Sequence, residues 1–321
     1  MDTRVTALAG GVGAARFLRG LLRAVPATDV TVVVNTADDD QFHGLAVSPD
    51  LDTVTYTLAG AENPDTGWGL AGDTFECTDA LERYGMPTWF RLGDRDLATH
   101  LFRSHCFRQG RTLSEATRAI TDAWGVQADV RPMSDDPVRT KIIIAGEEGV
   151  SASAPRSEEL AMQEWFVGRR AEPAVRGIRF DGAAAARPAP GVLEAIAQAD
   201  SIVVCPSNPV ISIGPILAVP GIRNALTERR DHVVGVSPII GGAPVKGPAD
   251  RLMEGLGMQV SCVGVATAYA DFCGTLVIDA VDADRASDVD VLGVRAVVAD
   301  TMMRDVAVAA ELARTTLAAV A

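Results

Sequence analysis

A chain of 321 residues that is 48% hydrophobic carries enough apolar material for one large core or two moderate ones. Its formal charge of −13 excludes a general nucleic-acid binder, which needs a Lys/Arg surplus on one face, so any anionic ligand must be held by local features. Five scattered cysteines, Cys77, Cys106, Cys205, Cys262 and Cys273, show no CxxC spacing and point to free thiols in a reducing cytoplasm, not to a zinc site.

In chain order, VTALAG near Val5 predicts a buried strand that ends at Gly10, Gly11 and Gly13, and an amphipathic helix follows with Arg16 close behind. Glycines allow close backbone approach, and the free N–H groups of a helix start favour a phosphate. The loop lacks the full G-x-G-x-x-G spacing and has no G-K-[ST], so a plain strand-to-helix turn is the alternative to an anion site.

VTVVVN near Val32 predicts a second buried strand, and Asp38, Asp39, Asp40, Asp50 and Asp52 follow it. Crowded carboxylates repel, so a cation, a helix start, an arginine or water must offset them. Hard oxygen ligands at the C-terminal end of a strand suit Mg²⁺, which takes one or two carboxylates and completes its shell with water and phosphate. The alternative is caps and turns, with SPDLDT opening a helix through VTYTLAG.

From about residue 59 to 131 no strong strand is predicted. Helical patterns recur there (TFECTDALERYG, RDLATHLFRSHC and TLSEATRAITDAWG, the last with a Ser-x-x-Thr start), giving a helical insertion over one end of the sheet. Arg95, between Asp94 and Asp96, and Arg139 with Lys141 are candidates either for an anionic substrate or for local ion pairs. Trp68 and Trp165 either stack on a planar ring or fill a core.

Strands are predicted again at KIIIAG near Ile143, SIVVCPSNP near Val203, HVVGVSP near Val234 and TLVIDA near Val277, with a short irregular or hairpin addition over residues 152–181 and a closing amphipathic helix. Strands alternating with helices predict an α/β fold, a Rossmann-like three-layer αβα arrangement with a mainly parallel sheet, as one domain over residues 1–321. Ligands bind outside the C-terminal ends of such strands, which singles out Ser207 and Asn208. Lys246, one of only two lysines, stands near Gly241 and Gly242 as a phosphate clamp or as part of a solvated loop. His43, His100, His105 and His232 have no GxSxG partner. With no signal peptide and no run of about 18 apolar residues, a soluble cytoplasmic protein without membrane or nucleic-acid partners is expected.

Taken together, AGGVGAARFLRGL, NTADDDQFHGLAVSPDLDTVTYTLAG, WFRLGDRDLATHL, DDPVRTKI, QEWFV, PSNPVISIGPILAVPGIR and SPIIGGAPVKGPAD resemble the CofD/FbiA family over nearly the whole chain and in the family's order. These are the 2-phospho-L-lactate or phosphoenolpyruvate transferases of coenzyme F420 biosynthesis. The resemblance implies a guanosine diphosphate ester of a three-carbon acid as donor and the ribityl hydroxyl of the deazaflavin Fo as acceptor. GMP leaves, and F420-0 or dehydro-F420-0 forms. It also implies Asp38, Asp39 and Asp52 as Mg²⁺ and catalytic residues, and Asp52, Trp68 and Arg95 on the Fo side. Gly10, Gly11, Gly13, Ser207, Asn208, Gly241, Gly242 and Lys246 are then implied around the guanosine diphosphate, in a homodimer. Ala14 stands where the family often has glycine, and Asp40 extends the usual acidic pair. A nucleotide-sugar-binding regulatory protein of related fold, without transfer chemistry, is the competing reading. A nucleotide-dependent oxidoreductase is a third, suggested by the first glycine loop alone.

Overall fold

The computed structural model describes residues 3–146 and 157–320. The apolar run after Arg4 forms strand β1 (Val5–Ala9), and Gly10 turns the chain into helix α1 (Gly11–Ala24). Ala14, Ala15, Phe17, Leu18 and Leu21 put one stripe of α1 into the core. The valine run is β2 (Val30–Val34), and the acidic loop leads into a small antiparallel hairpin, β3 (Asp40–Phe42) with β4 (Leu45–Val47). Ser48 then begins α2 (Pro49–Leu58), with Pro49 at its first position, where a missing N–H costs nothing.

Between α2 and the next strand lie α3 (Glu76–Leu81), α4 (Asp96–Arg108) and α5 (Leu113–Ala123). The predicted Ser-x-x-Thr start of α5 is displaced by two residues. Thr112 is the N-cap, and it forms a reciprocal capping box with Glu115. The chain continues through β5 (Asp129–Pro132), β6 (Arg139–Ala145), β7 (Ser157–Ala161), β8 (Val175–Asp181), β9 (Ser201–Val204), β10 (Val233–Val236), β11 (Ile239–Ile240), β12 (Ala243–Pro244), β13 (Thr275–Asp279) and β14 (Arg295–Ala299). A helix at Val306–Ala318 closes it.

Seven strands form one parallel sheet in the order β14-β13-β10-β9-β1-β2-β5. Alternate residues of each strand feed two cores. Leu8, Val33, Ile202, Val204 and Ile278 point to one face, and Ala7, Val32, Val34, Val203 and Val277 to the other. Helices on both faces therefore make three layers, as expected for an α/β chain. The strand order reverses between β1 and β9, whose C-terminal ends flank the crevice where doubly wound sheets bind ligands.

Five of the six predicted strands lie in this sheet, and KIIIAG does not. As β6 it is the centre of a separate antiparallel sheet, β7-β6-β8, so residues 157–161 and 175–181 are strands and not an irregular addition. Of the predicted addition at 152–181, residues 152–156 lie outside the described residues. Two parallel strands, β5 and β14, replace it at the sheet edges. Each is short and only partly buried, and that hides a strand from pattern reading. Among the described residues no single helix is long and apolar enough to cross a membrane.

Candidate active site

At the end of β2 the backbone turns through Asn35, which is fully buried and ties the acidic loop together. Its Nδ2 donates to Asp38 Oδ2 at 3.2 Å and to Asp50 Oδ2 at 2.9 Å, and its Oδ1 accepts from the Ala37 N–H at 3.0 Å. Asp50 also accepts from the backbone N–H of Gly11, which ties the start of α2 to the glycine loop. A Cβ at Gly10 would stand 2.8 Å from Asp50 Oδ2 and 2.7 Å from Ser212 Cβ. Glycine is therefore required there by close approach, not by an unusual φ.

Asp38, Asp39, Asp50 and Asp52 are all buried, whereas Asp40 is only partly so. Burial, then the neighbouring charge of Asp50, holds the Asp38 carboxyl well above the usual carboxylate range. Burial pushes Asp39 up to about 7 against a hydrogen bond from Ser48 and the charges of Arg103 and Arg139. Burial also raises Asp50 to about 6, opposed by Asn35 and the Gly11 N–H. Ser48 Oγ donates to Asp39 Oδ2 at 2.6 Å and so caps the loop, not its own helix.

Asp52 is held differently. Arg103 of α4 grips both of its oxygens, the Nη1 contact to Oδ2 being 3.2 Å, and Arg103 is itself buried. His100, one turn earlier, places Nδ1 3.7 Å from Asp52 Oδ2 and Nε2 3.2 Å from Asp96 Oδ2. Tyr56 of α2 donates at 2.5 Å to Asp96 Oδ1. Asp52 therefore links α2 to α4, and its counter-charge is the Arg103 guanidinium.

Among the described residues no cluster of three or more His, Cys, Asp or Glu is arranged as a ready metal cage. Two carboxylate oxygens are nonetheless buried without any partner, Asp38 Oδ1 and Asp39 Oδ1. Buried acceptors left bare cost on the order of 1–3 kcal/mol each and call for a proton or a cation. This donor set fits Mg²⁺, which uses one or two carboxylates with water and phosphate oxygens.

The glycine and serine candidates meet at the switch point. The Gly10 N–H donates to Ser207 Oγ at 3.2 Å across the β1–β9 crevice, and Gly13 lies against the Pro206 carbonyl. Asn208 Oδ1 accepts from the N–H groups of Val210 and Ile211 at 2.9 and 3.3 Å, so its side chain shapes the turn. Gly241 and Gly242, both at positive φ (58° and 79°), form the two-residue turn of the β11–β12 hairpin. Lys246 Nζ donates to the Thr66 carbonyl and stands 3.5 Å from the Cβ position of Gly67, with Arg16 at 3.6 Å on the same spot. Burial, then Arg16, lowers the pKa of Lys246.

The half-exposed Trp68 follows directly on this Thr66–Gly67 stretch and so stands with the lysine that sequence reasoning assigned to the nucleotide. Arg95 is exposed; its side chain donates to the Ala71 carbonyl at 3.0 Å. Trp165 fills the core, with Nε1 donating to the Pro173 carbonyl at 2.9 Å. Ala14 is buried in helical backbone in α1, where its methyl belongs to the core. Sequence reasoning missed Asn35, Ser48, His100 and Arg103. The last two had a legible signal, since Asp96, His100 and Arg103 recur at i, i+4 and i+7 on one helix face.

Comparison with known proteins agrees with this architecture. A family model described as 2-phospho-L-lactate transferase CofD matches residues 5–311. The chain is 46% identical over 318 residues to the phosphoenolpyruvate transferase of Kitasatospora aureofaciens, covering 98% of this chain and 97% of that one. It is 42% identical over 306 residues to the 2-phospho-L-lactate transferase of Methanosarcina mazei, covering 95% and 96%. A solved UPF0052-family protein of Bacillus halodurans superposes with a TM-score of 0.64 at 17% identity, covering 99% of each chain, which shows the shared fold. The chain belongs to the CofD family of 2-phospho-L-lactate transferases.

Proposed function

We propose that this protein transfers a phosphorylated three-carbon acid, 2-phospho-L-lactate or phosphoenolpyruvate, from its guanosine diphosphate ester to the ribityl hydroxyl of Fo, releasing GMP. The names of the relatives support the class of acid. One observation carries the site: two buried carboxylates with one bare oxygen each, beside the β1–β9 switch point.

The donor diphosphate lies over Gly10, Gly11 and Gly13, with Ser207, Gly241, Gly242 and Lys246 around it. Asn208 keeps the turn that presents Ser207 in place. Asp38 and Asp39 divide the chemistry according to what surrounds them. Asp38 has another carboxylate, Asp50, beside it and only the neutral side chains of Thr140 and Asn35 to offset burial, so its Oδ1 would hold Mg²⁺. When bound, Mg²⁺ neutralises charge on the phosphoryl oxygens.

Asp39 already has Arg103 and Arg139 nearby, and a carboxyl with a pKa of about 7 suits a general base near neutral pH. Its Oδ1 takes the proton of the Fo hydroxyl as the oxygen attacks phosphorus, and the bond from that phosphorus to the GMP oxygen breaks. Asp52 and Arg103 fix the wall of α2 against α4 and so set where the acceptor stands. The proposal includes a homodimer acting in the cytoplasm.

The test is to incubate the protein with Fo, Mg²⁺ and each ester and to detect products by mass. F420-0 or dehydro-F420-0 with equimolar GMP is the expected result. Nucleotide binding with no product from any ester would instead favour the regulatory nucleotide-sugar reading.

A further inference from the structure

Thr140, the second residue of β6, reaches the acidic loop from the other sheet. β6 pairs with β7 and β8 and not with the parallel sheet, yet the Thr140 N–H donates to the Ala37 carbonyl at 2.8 Å, one residue before Asp38. The small antiparallel sheet is thereby docked onto the loop that follows β2. Thr140 is only 2% exposed. Its hydroxyl lies against the Asp38 carboxyl and favours the ionised form there, but Thr140 Oγ1 and Asp38 Oδ1 are each left without a completed hydrogen bond.

The residue type is informative. Valine has the same branched shape and suits a strand equally well, and Ile142, Ile143 and Ile144 follow in the same strand. A buried hydroxyl left bare costs on the order of 1–3 kcal/mol, so packing alone favours valine at this position. The hydroxyl therefore serves something other than packing, and its surroundings narrow what that is. Asn35 already donates through Nδ2 to Asp38 Oδ2, and its Oδ1 is taken by the Ala37 N–H, which fixes the orientation of the amide. Asp38 thus has two neutral donors beside it, an amide held rigidly and a hydroxyl free to rotate.

We infer that Thr140 is a positioning residue for the metal site: its hydroxyl donates to the ionised Asp38 carboxylate and, with Asn35, holds it in one orientation that leaves an oxygen to the cation. The inference rests on the reading of Asp38 as the Mg²⁺ ligand and adds the residue that aims it. It also gives the antiparallel sheet a task, since β6 carries the aiming hydroxyl and β7 and β8 hold β6 in place. Removing a group that orients a metal ligand by a hydrogen bond costs about 10–100-fold in metal affinity.

The experiment measures Mg²⁺ binding by calorimetry with GDP present for the wild type, Thr140→Val, Thr140→Ala, Thr140→Ser, Asp38→Asn and Thr117→Val. Thr117 of α5 is a second buried threonine with a bare hydroxyl, and it controls for the loss of such a group as such. Thermal melts and a GDP titration without Mg²⁺ show that each variant is folded with its nucleotide site intact. The expected result is Mg²⁺ affinity lowered about tenfold or more in Thr140→Val and Thr140→Ala, and within a few fold of wild type in Thr140→Ser and Thr117→Val. Wild-type Mg²⁺ affinity in a folded Thr140→Val or Thr140→Ala overturns the role of Thr140, and so does a Thr140→Ser variant as weak as Thr140→Val. If Asp38→Asn still weakens binding in that case, the reading of Asp38 stands. Wild-type affinity in Asp38→Asn, or a wild-type protein that binds no Mg²⁺, overturns both.

Discussion

Arg103 of α4 grips both carboxylate oxygens of Asp52 of α2, and both side chains are buried. The pair joins the helical segment to the helix that follows the acidic loop. Breaking it leaves one buried charge unpaired, which costs about 3–5 kcal/mol. Arg103→Met is therefore expected to lower unfolding free energy by that order in urea melts, and Arg103→Lys by less, because one ammonium cannot match the two-pronged geometry. A Met variant as stable as the wild type would show that Asp52 has another partner.

The raised carboxyls give the metal-free protein a defined response to pH. Asp39 and Asp50 bind protons more tightly folded than unfolded, with folded values of about 7 and about 6. Their contribution is complete below the unfolded value of about 4 and is lost as pH rises through 6 to 7. Asp96 runs the other way: burial opposes ionisation, but hydrogen bonding to His100 wins and its pKa is lowered, so its contribution is lost on acidification. Without Mg²⁺, melting temperature should therefore be higher at pH 5.5 than at pH 8, and added Mg²⁺ should stabilise more at pH 8. Equal melting temperatures at both pH values would count against burial of these carboxyls.

Asp38 and Asp39 are expected to separate in binding measurements. Asp38→Asn should weaken Mg²⁺ binding, read by calorimetry with GDP present, by about tenfold or more. Asp39→Asn should keep Mg²⁺ affinity within a few fold and lose the acidic limb of the pH–rate profile, the fall in rate as pH drops through about 7. The reverse pattern would exchange the two roles.

Packing makes a further prediction away from the chemistry. A Cβ at Gly20 of α1 would fall on the Ala309 carbonyl of the closing helix. Gly20→Ala should cost about 1–3 kcal/mol in unfolding free energy through overpacking. Because Gly20 lies far along α1 from Gly10, GDP affinity in the folded variant should not change. Unchanged stability would mean that the closing helix slides freely over α1.

Much of the fold was legible because fully buried parallel strands are written as short valine and isoleucine runs. VTVVV and TLVID are examples, and each became a sheet strand. KIIIA has the same composition yet lies in the small antiparallel sheet. The difference is set by partners far away in sequence, β7 and β8, which no local pattern encodes. The acidic loop and the Gly10–Ser207 crevice were legible as strand ends carrying polar residues. The tie between Asp52 and Arg103 was not, because 51 residues separate the partners and each reads locally as an ordinary helix charge. Asn35 was hidden for another reason: nothing in VVVN announces that its amide will bridge two carboxylates.

The most direct test of the central claim is the initial rate of GMP release from the guanosine diphosphate ester, with and without Fo, in the wild type and in Asp38→Asn and Asp39→Asn. The acidic-loop account predicts release that requires Fo, one product molecule per GMP, and a fall of about 100-fold or more in each variant with GDP still bound. Wild-type rates in both variants would contradict it.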